Sequence, residues 1–248
     1  DLTTLRQDIV FGARMLLARP GFTIAAVLSL ALGIGANTTI FSLINSSLLA
    51  NLPYQEPDRL VAIWTSRLDR PNVRNSSTGA NYLAWKEQAR SFDVIGANFG
   101  FTMNLGSSED GAPAERSEGM RFTASMWDLL GVRPIRGRVF TQDEDRNGSP
   151  APVAVLSYNF WQRRFNGDPH IVGRMLRLDS VETDIIGVMP EGFDFAETDT
   201  DVWIPAGFTP QQLSSAASFL MVTGRLREGV TMGQAQAEMD ALSQGLAA

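Results

Sequence analysis

Hydrophobic and polar positions fall into two regimes along this chain. Residues 2–17 place Leu2, Leu5, Ile9 and Leu16 near one helical face, with Arg6 and Arg14 off it. That spacing predicts an amphipathic helix over 1–20 lying on a membrane surface, ended where Pro20-Gly21 turns the chain. No Asp, Glu, Lys or Arg occurs from Pro20 to Gln55, and the heart of this run is Phe22–Ala50. A bilayer core of about 30 Å needs roughly 20 apolar helical residues, so the run predicts a transmembrane helix over 21–50 with about two turns to spare. A cleaved signal peptide would carry a shorter apolar stretch, of about 7–15 residues, behind a short basic start. A core helix this apolar would need more surrounding domain than the chain supplies. Within the span, Ala25, Ser29, Gly33 and Asn37 recur every four residues. Such a stripe of small side chains lets a second helix approach closely in lipid, which makes Ala25, Ser29 and Gly33 candidate helix-packing positions.

After the breaks at Pro53 and Pro57 the periods become short and mixed. Leu60–Trp64 reads as a strand, followed by a polar stretch to Gly79. A helix then sets Tyr82, Trp85, Ala89 and Phe92 on one face. Strands are predicted near 94–105 and 115–124, with a short helix at 125–130 and a turn-rich stretch to Gly148. The chain continues with a strand at 153–157, a helix at 159–165, a hairpin of 175–179 with 183–189, and strands at 201–205 and 219–227. Thr231 and Gln234 have capping-box spacing. They open a last helix whose Met232, Ala235, Met239, Leu242 and Leu246 are expected to face a partner surface. That helix is still amphipathic at Ala248, so further membrane chain is expected beyond it. The order of elements predicts an α+β fold in two lobes. Residues 51–130 and 206–248 would form one lobe, and 131–205 a second, mostly β lobe inserted into it, keeping the ends of the first lobe close together.

Charge narrows the partners. The net charge is −6, with +1 ahead of the span and −7 after it, so the soluble part lacks the basic surface that nucleic acid requires. Arginines flank both ends of the span (Arg6, Arg14 and Arg19 before it; Arg59, Arg67 and Arg70 after it). Residue counting therefore leans only a little toward an inside N-terminus. The absence of cysteine excludes disulfides, thiolate catalysis and Cys-based zinc sites.

Catalytic patterns are missing. His170 is the one histidine, in a loop after Asp168-Pro169; no G-x-S-x-G surrounds a serine, and neither a P-loop nor a dinucleotide fingerprint is present. Asp143, Asp145, Asn147 and Gly148 match positions 1, 3, 5 and 6 of a calcium loop. Position 12 is Ala154, however, and Pro150 and Pro152 break the exiting helix. A polar surface turn is the expectation there, and likewise for Glu197, Asp199 and Asp201. Trp127, Trp161 and Trp203 are expected as core anchors. No enzyme activity, cofactor or metal is expected.

Several segments together resemble a known family. RPGFTIAAVLSLALGIGANTTIFSLINSSLL (19–49) followed by LPYQEPDRLV (52–61) resembles the first membrane helix of MacB-like ABC transporter permeases, in the group called duplicated orphan permeases. LLGVRPIRGRVFTQDED, PVAVLSYNFWQRRFNGDP, IVGRMLRLDSVETDIIGVMPEGFDF and GRLREGVTMGQAQAEMDAL resemble that family's periplasmic core domain. The resemblance implies a porter-like lobe of βαβ units carrying an inserted sabre-like lobe, with three further membrane helices after it. It also implies a cytoplasmic N-terminus in a bacterial inner membrane, residues 56–248 in the periplasm, and a separate ABC ATPase. A second permease copy or a related permease would complete the assembly, possible envelope proteins would be further partners, and no catalytic residue carries over to this domain. The function so implied is transmission of ATP-driven motion for efflux or envelope substrate handling. A membrane-anchored periplasmic binding or sensor module without transport is the alternative.

Overall fold

Phe92 begins a 14-residue strand, buried at every position from Ile95 to Asn98, and this strand organises the domain. A computed structural model describes residues 54–67, 70–106, 114–195 and 198–247. The helices expected over 1–20 and 21–50, with Ala25, Ser29 and Gly33, lie outside them. In chain order the strands are β1 (Leu60–Ile63), β2 (Thr65–Arg67), β3 (Arg70–Asn75), β4 (Phe92–Leu105), β5 (Glu115–Phe122), β6 (Arg136–Gly137), β7 (Val153–Leu156), β8 (Met175–Leu178), β9 (Val181–Val188), β10 (Val202–Pro205) and β11 (Met221–Leu226). The helices are α1 (Gly79–Gln88), α2 (Ser125–Leu130), α3 (Tyr158–Phe165), α4 (Pro210–Ser214) and α5 (Met232–Ala247).

Local chemistry starts these helices where the sequence signals them. Thr78, Ser157 and Thr209 each accept a hydrogen bond at the open first turn of α1, α3 and α4. At α5 the expected capping box forms: Thr231 N donates to Gln234 Oε1 at 2.9 Å, and Gln234 N donates to Thr231 Oγ1 at 3.3 Å. Two local expectations are corrected. The polar stretch before α1 folds as the antiparallel hairpin β2–β3. Phe92 belongs to β4, because α1 ends at Gln88.

Among the described residues nine strands share one sheet, ordered β1-β11-β4-β5-β10-β7-β9-β6, with β8 paired to both β9 and β4. The expectation of two lobes divided at 130/131 and 205/206 is thereby corrected. The parallel ladder of β5 with β10 (Val202↔Gly119 to Pro205↔Phe122) carries the sheet from one supposed lobe into the other. A core of Phe122, Trp127, Phe140, Val155, Ile186 and Trp203 draws on both. Residues 53–248 form one compact unit. Burying aromatic area common to both parts stabilises them jointly.

The sheet also curls on itself. β8 pairs along β9 and meets β4 at Leu105↔Leu178. Gly106 N donates to Arg177 O and Asp179 N to Asn104 O, each at 2.9 Å. Strands β4, β5, β10, β7, β9 and β8 therefore make a closed ring. Closure removes the exposed edges these strands would otherwise present. Every second residue points inward, giving a dry interior of Met103, Leu105, Leu156, Leu176, Ile185 and Val202. A third core holds α1 and α5 against β1, β11 and β4 through Tyr82, Trp85, Phe92, Val222, Ala235 and Met239. Here too an expectation is corrected. Ala235 and Met239 are buried in this domain's own core and Leu242 packs against it, while Met232 alone of these four stays 57% exposed. The apolar face of α5 is spent on its own sheet.

Candidate functional site

The chain enters this domain through Tyr54–Arg59, and that segment is held from four directions. α2 is only six residues long and ends at Gly131 (φ +67°), whose N–H returns to Trp127 O. Its last carbonyls would otherwise be unsatisfied. Leu130 O accepts from Gln55 N at 2.9 Å, and Leu129 O accepts from Arg225 Nη2. A cation at a helix C-terminus is also favoured by the helix dipole. Gly131 is needed twice over, because a Cβ there would lie 2.5 Å from Gln55 Cβ.

Arg225, buried in β11, binds the entering segment as well. Its Nη2 donates to Gln55 O at 3.1 Å, and Nη1 stands 3.6 Å from Glu56. Arg59 adds a second layer: Nε donates to Leu226 O at 2.8 Å, Nη1 pairs with Glu56 at 2.9 Å and Nη2 with Asp93 at 2.6 Å. Arg227 shares Asp93 at 3.3 Å. Tyr54 packs against the core that holds Trp127 and Phe193, its hydroxyl donating to Asp194 O at 2.9 Å. Burial, and then the charge of Asp194, push the Tyr54 pKa up to about 12, so the phenol keeps its proton and this bond at any physiological pH. One short segment thus touches α2, β4, β11 and the loop before β10. At the opposite end of the chain, Glu238 of α5 accepts from Arg90 N and Ser91 N at 2.8 Å each, fastening the helix to the turn that starts β4.

Magnitudes separate the two arginines. Ion pairs of Arg59 are partly exposed and are worth about 0–1 kcal/mol each. The buried guanidinium of Arg225 serves two backbone carbonyls, and hydrogen bonds to a charged group contribute about 1.5–3 kcal/mol. Arg225→Ala is therefore expected to lower stability by about 2 kcal/mol, and Arg59→Ala by less, since Arg59 makes one such backbone bond and that one is only partly buried. Urea midpoints of the two variants check this ranking.

Other sequence candidates fall elsewhere. His170 is exposed, its backbone N–H donating to Asp168 Oδ1 at 2.8 Å. Asp143 pairs with Arg146 at 3.2 Å on the surface, as a polar turn would. Asp145 departs from that expectation. It is buried, with Oδ2 accepting from Ala124 N at 2.9 Å and Oδ1 from Gly207 N at 2.8 Å. Asp201 also departs from a solvated loop, pairing with Arg163 at 3.0 Å and accepting from Ser117. Trp127, Trp161 and Trp203 are core residues as expected. Among the described residues no group of three His, Cys, Asp or Glu could hold a metal ion, and no helix is long and apolar enough to cross a membrane. The Arg225 clamp escapes sequence reading because its partners are main-chain atoms about 96 and 170 positions away.

A mixed α/β domain built on one large sheet, its entry segment fastened to several elements, describes the class of protein. The particular family follows from comparison: a family model described as MacB-like periplasmic core domain matches residues 23–242. This chain belongs to the MacB-like periplasmic core domain family. Among solved structures, the periplasmic region of MacB from Actinobacillus actinomycetemcomitans is similar in fold, with 12% identity and a TM-score of 0.57. That match covers 75% of this chain and 83% of that one. The extracellular domain of the ABC-type transporter YknZ from Gram-positive bacteria is similar at 14% identity and a TM-score of 0.56, covering 76% and 95%. At such identities the likeness concerns the fold alone. No curated protein matches the chain.

Proposed function

We propose that this chain belongs to a permease subunit of a MacB-like ABC transporter, carrying motion from a separate ATPase through a span at 21–50 to the domain at 53–248 in the periplasm. The observation that carries the reading is the clamp on Tyr54–Arg59. A segment bonded at once to α2, β4, β11 and the 193–195 loop moves the sheet as a body instead of bending alone. Rigid-body displacement is a common way for a distant event to reach a binding surface. Substrates of efflux or envelope handling would be moved by that displacement.

The full-length protein is expected to co-purify with an ABC ATPase and to change its rate of ATP turnover. A partner that hydrolyses ATP identically with and without it would leave a membrane-anchored binding or sensor module as the better reading. Two permease halves and two ATPase subunits form the proposed assembly, with Ala25, Ser29 and Gly33 at the contact between spans. Because the chain has no cysteine, single cysteines at those positions should crosslink to another span in the full-length protein, and Gly33→Leu should abolish the crosslink and the ATPase response together. Equal crosslinking from the opposite helix face would remove the stripe from the proposal.

A further inference from the structure

The closed ring has a mouth, and its lining does not match the rest of the surface. Where β7 begins, opposite the end from which α3 departs, a cavity of about 220 Å³ opens between the ring strands. Phe101, Val153, Leu178, Val181 and Ile204 line it, one from each of β4, β7, β8, β9 and β10; β5 contributes Arg121. The walls are mainly apolar, with Thr183 of β9, Asp179 after β8 and the cationic Arg121 of β5 as the polar members. Val181 is 54% exposed although it points to the inner face, so the mouth is open to solvent.

Arg121 is the unusual element. Its Nη1 donates to Pro205 O at 3.0 Å, and its guanidinium lies 5.3 Å over the Phe101 ring. No ion pair with it occurs among the described residues. Asp179, the one carboxylate at the mouth, already accepts from Asn104 N and Nδ2 at 2.9 and 3.0 Å. Burial disfavours the charge of Arg121, while Asp145 and Asp179 support it from a distance. A guanidinium has five donors in a planar fork suited to a carboxylate. Of those donors Nη1 has a backbone acceptor, and none forms an ion pair with Asp179, the one carboxylate in the lining.

The space equals about seven liquid waters, below the size of a drug-binding pocket. It suits a short acyl chain with its head at the rim. We propose that the ring mouth binds small amphipathic carboxylates, the alkyl chain among Val153, Leu178 and Ile204 and the carboxylate on Arg121. This inference does not depend on coupling to an ATPase, and its test involves none.

The probe is octanoate, with octylammonium as the same chain bearing the opposite charge. In the cysteine-free full chain, Val181→Cys places one thiol in the lining. Met175→Cys, on the outward face of β8, serves as the control. Octanoate is expected to slow alkylation of Val181→Cys by N-ethylmaleimide at least about fivefold at saturation, leaving Met175→Cys unchanged. Octylammonium should protect far less, although the net charge of −6 favours the cation everywhere else. Adding Arg121→Gln should raise the half-protecting octanoate concentration about tenfold, and Arg121→Lys should keep most of the protection. Equal protection by both amphiphiles, or none by octanoate, overturns the proposal, as does protection unaffected by a folded Arg121→Gln. Should Arg121→Gln fail to fold, the octanoate–octylammonium comparison in Val181→Cys decides alone.

Discussion

Replacing Trp203 with alanine lowers the stability of the whole domain by about 4 kcal/mol, with both halves of the sheet unfolding together. Trp203 is fully buried, and its ring centroid lies 5.2 Å from Phe193, 6.2 Å from Trp127 and 6.3 Å from Phe122. Removing a buried aromatic costs the lost transfer free energy plus the cavity left behind, typically about 3–5 kcal/mol. The backbone position matters as much as the ring. Trp203 sits in β10 with Met120 of β5 on one side and Val155 of β7 on the other. That is where the first half of the chain is joined to the second. Urea unfolding followed by tryptophan fluorescence and by far-UV circular dichroism should give one coincident transition, shifted to lower midpoint in Trp203→Ala. Trp203→Phe should cost less than half as much. Two separated transitions, with only one moved, would return the two-lobe description to favour.

Asp145→Ala carries the next largest effect, about 3 kcal/mol. Two buried N–H groups, Ala124 N and Gly207 N, lose their acceptor, and each stranded donor costs about 1–3 kcal/mol. Relief of a buried charge offsets part of that. The balance has a pH signature. Burial is the largest influence on Asp145 and raises its pKa, with the two backbone donors pulling the other way. A carboxyl whose native pKa is raised holds its proton more tightly in the folded state. Its contribution to stability is then greatest below the ordinary carboxylate pKa and falls as pH rises through the native value. The stability difference between wild type and Asp145→Asn should decline with rising pH across that window and flatten above it. Subtracting the variant cancels groups of opposite sign such as Glu144, whose pKa is lowered first by its bond to Arg138. A difference that grew with pH would mean that the two bonds outweigh burial.

Period and end signals by themselves determined most of the elements. The strand near 94–105, the hairpin over 175–189, the Thr231–Gln234 capping spacing and the apolar run at 153–157 are local properties, and a residue's own neighbours suffice to express them. The charge-free run at 20–55 is equally local. Family membership was legible because several such segments recur in order. The sequence could not assign partners. Alternation tells which face a strand buries, yet not which strand lies beside it, so the parallel β5–β10 ladder and the β4–β8 closure had no local sign. Those contacts join residues 83 and 73 positions apart. They are decided by where aromatic area can be shared, and that sharing merged two expected lobes into one sheet. The same reason hid the functional geometry. Arg225 and Asp145 act on main-chain atoms that only the folded chain brings near. Arg121 becomes a binding candidate only because the closed ring sets it in the lining of a mainly apolar hollow.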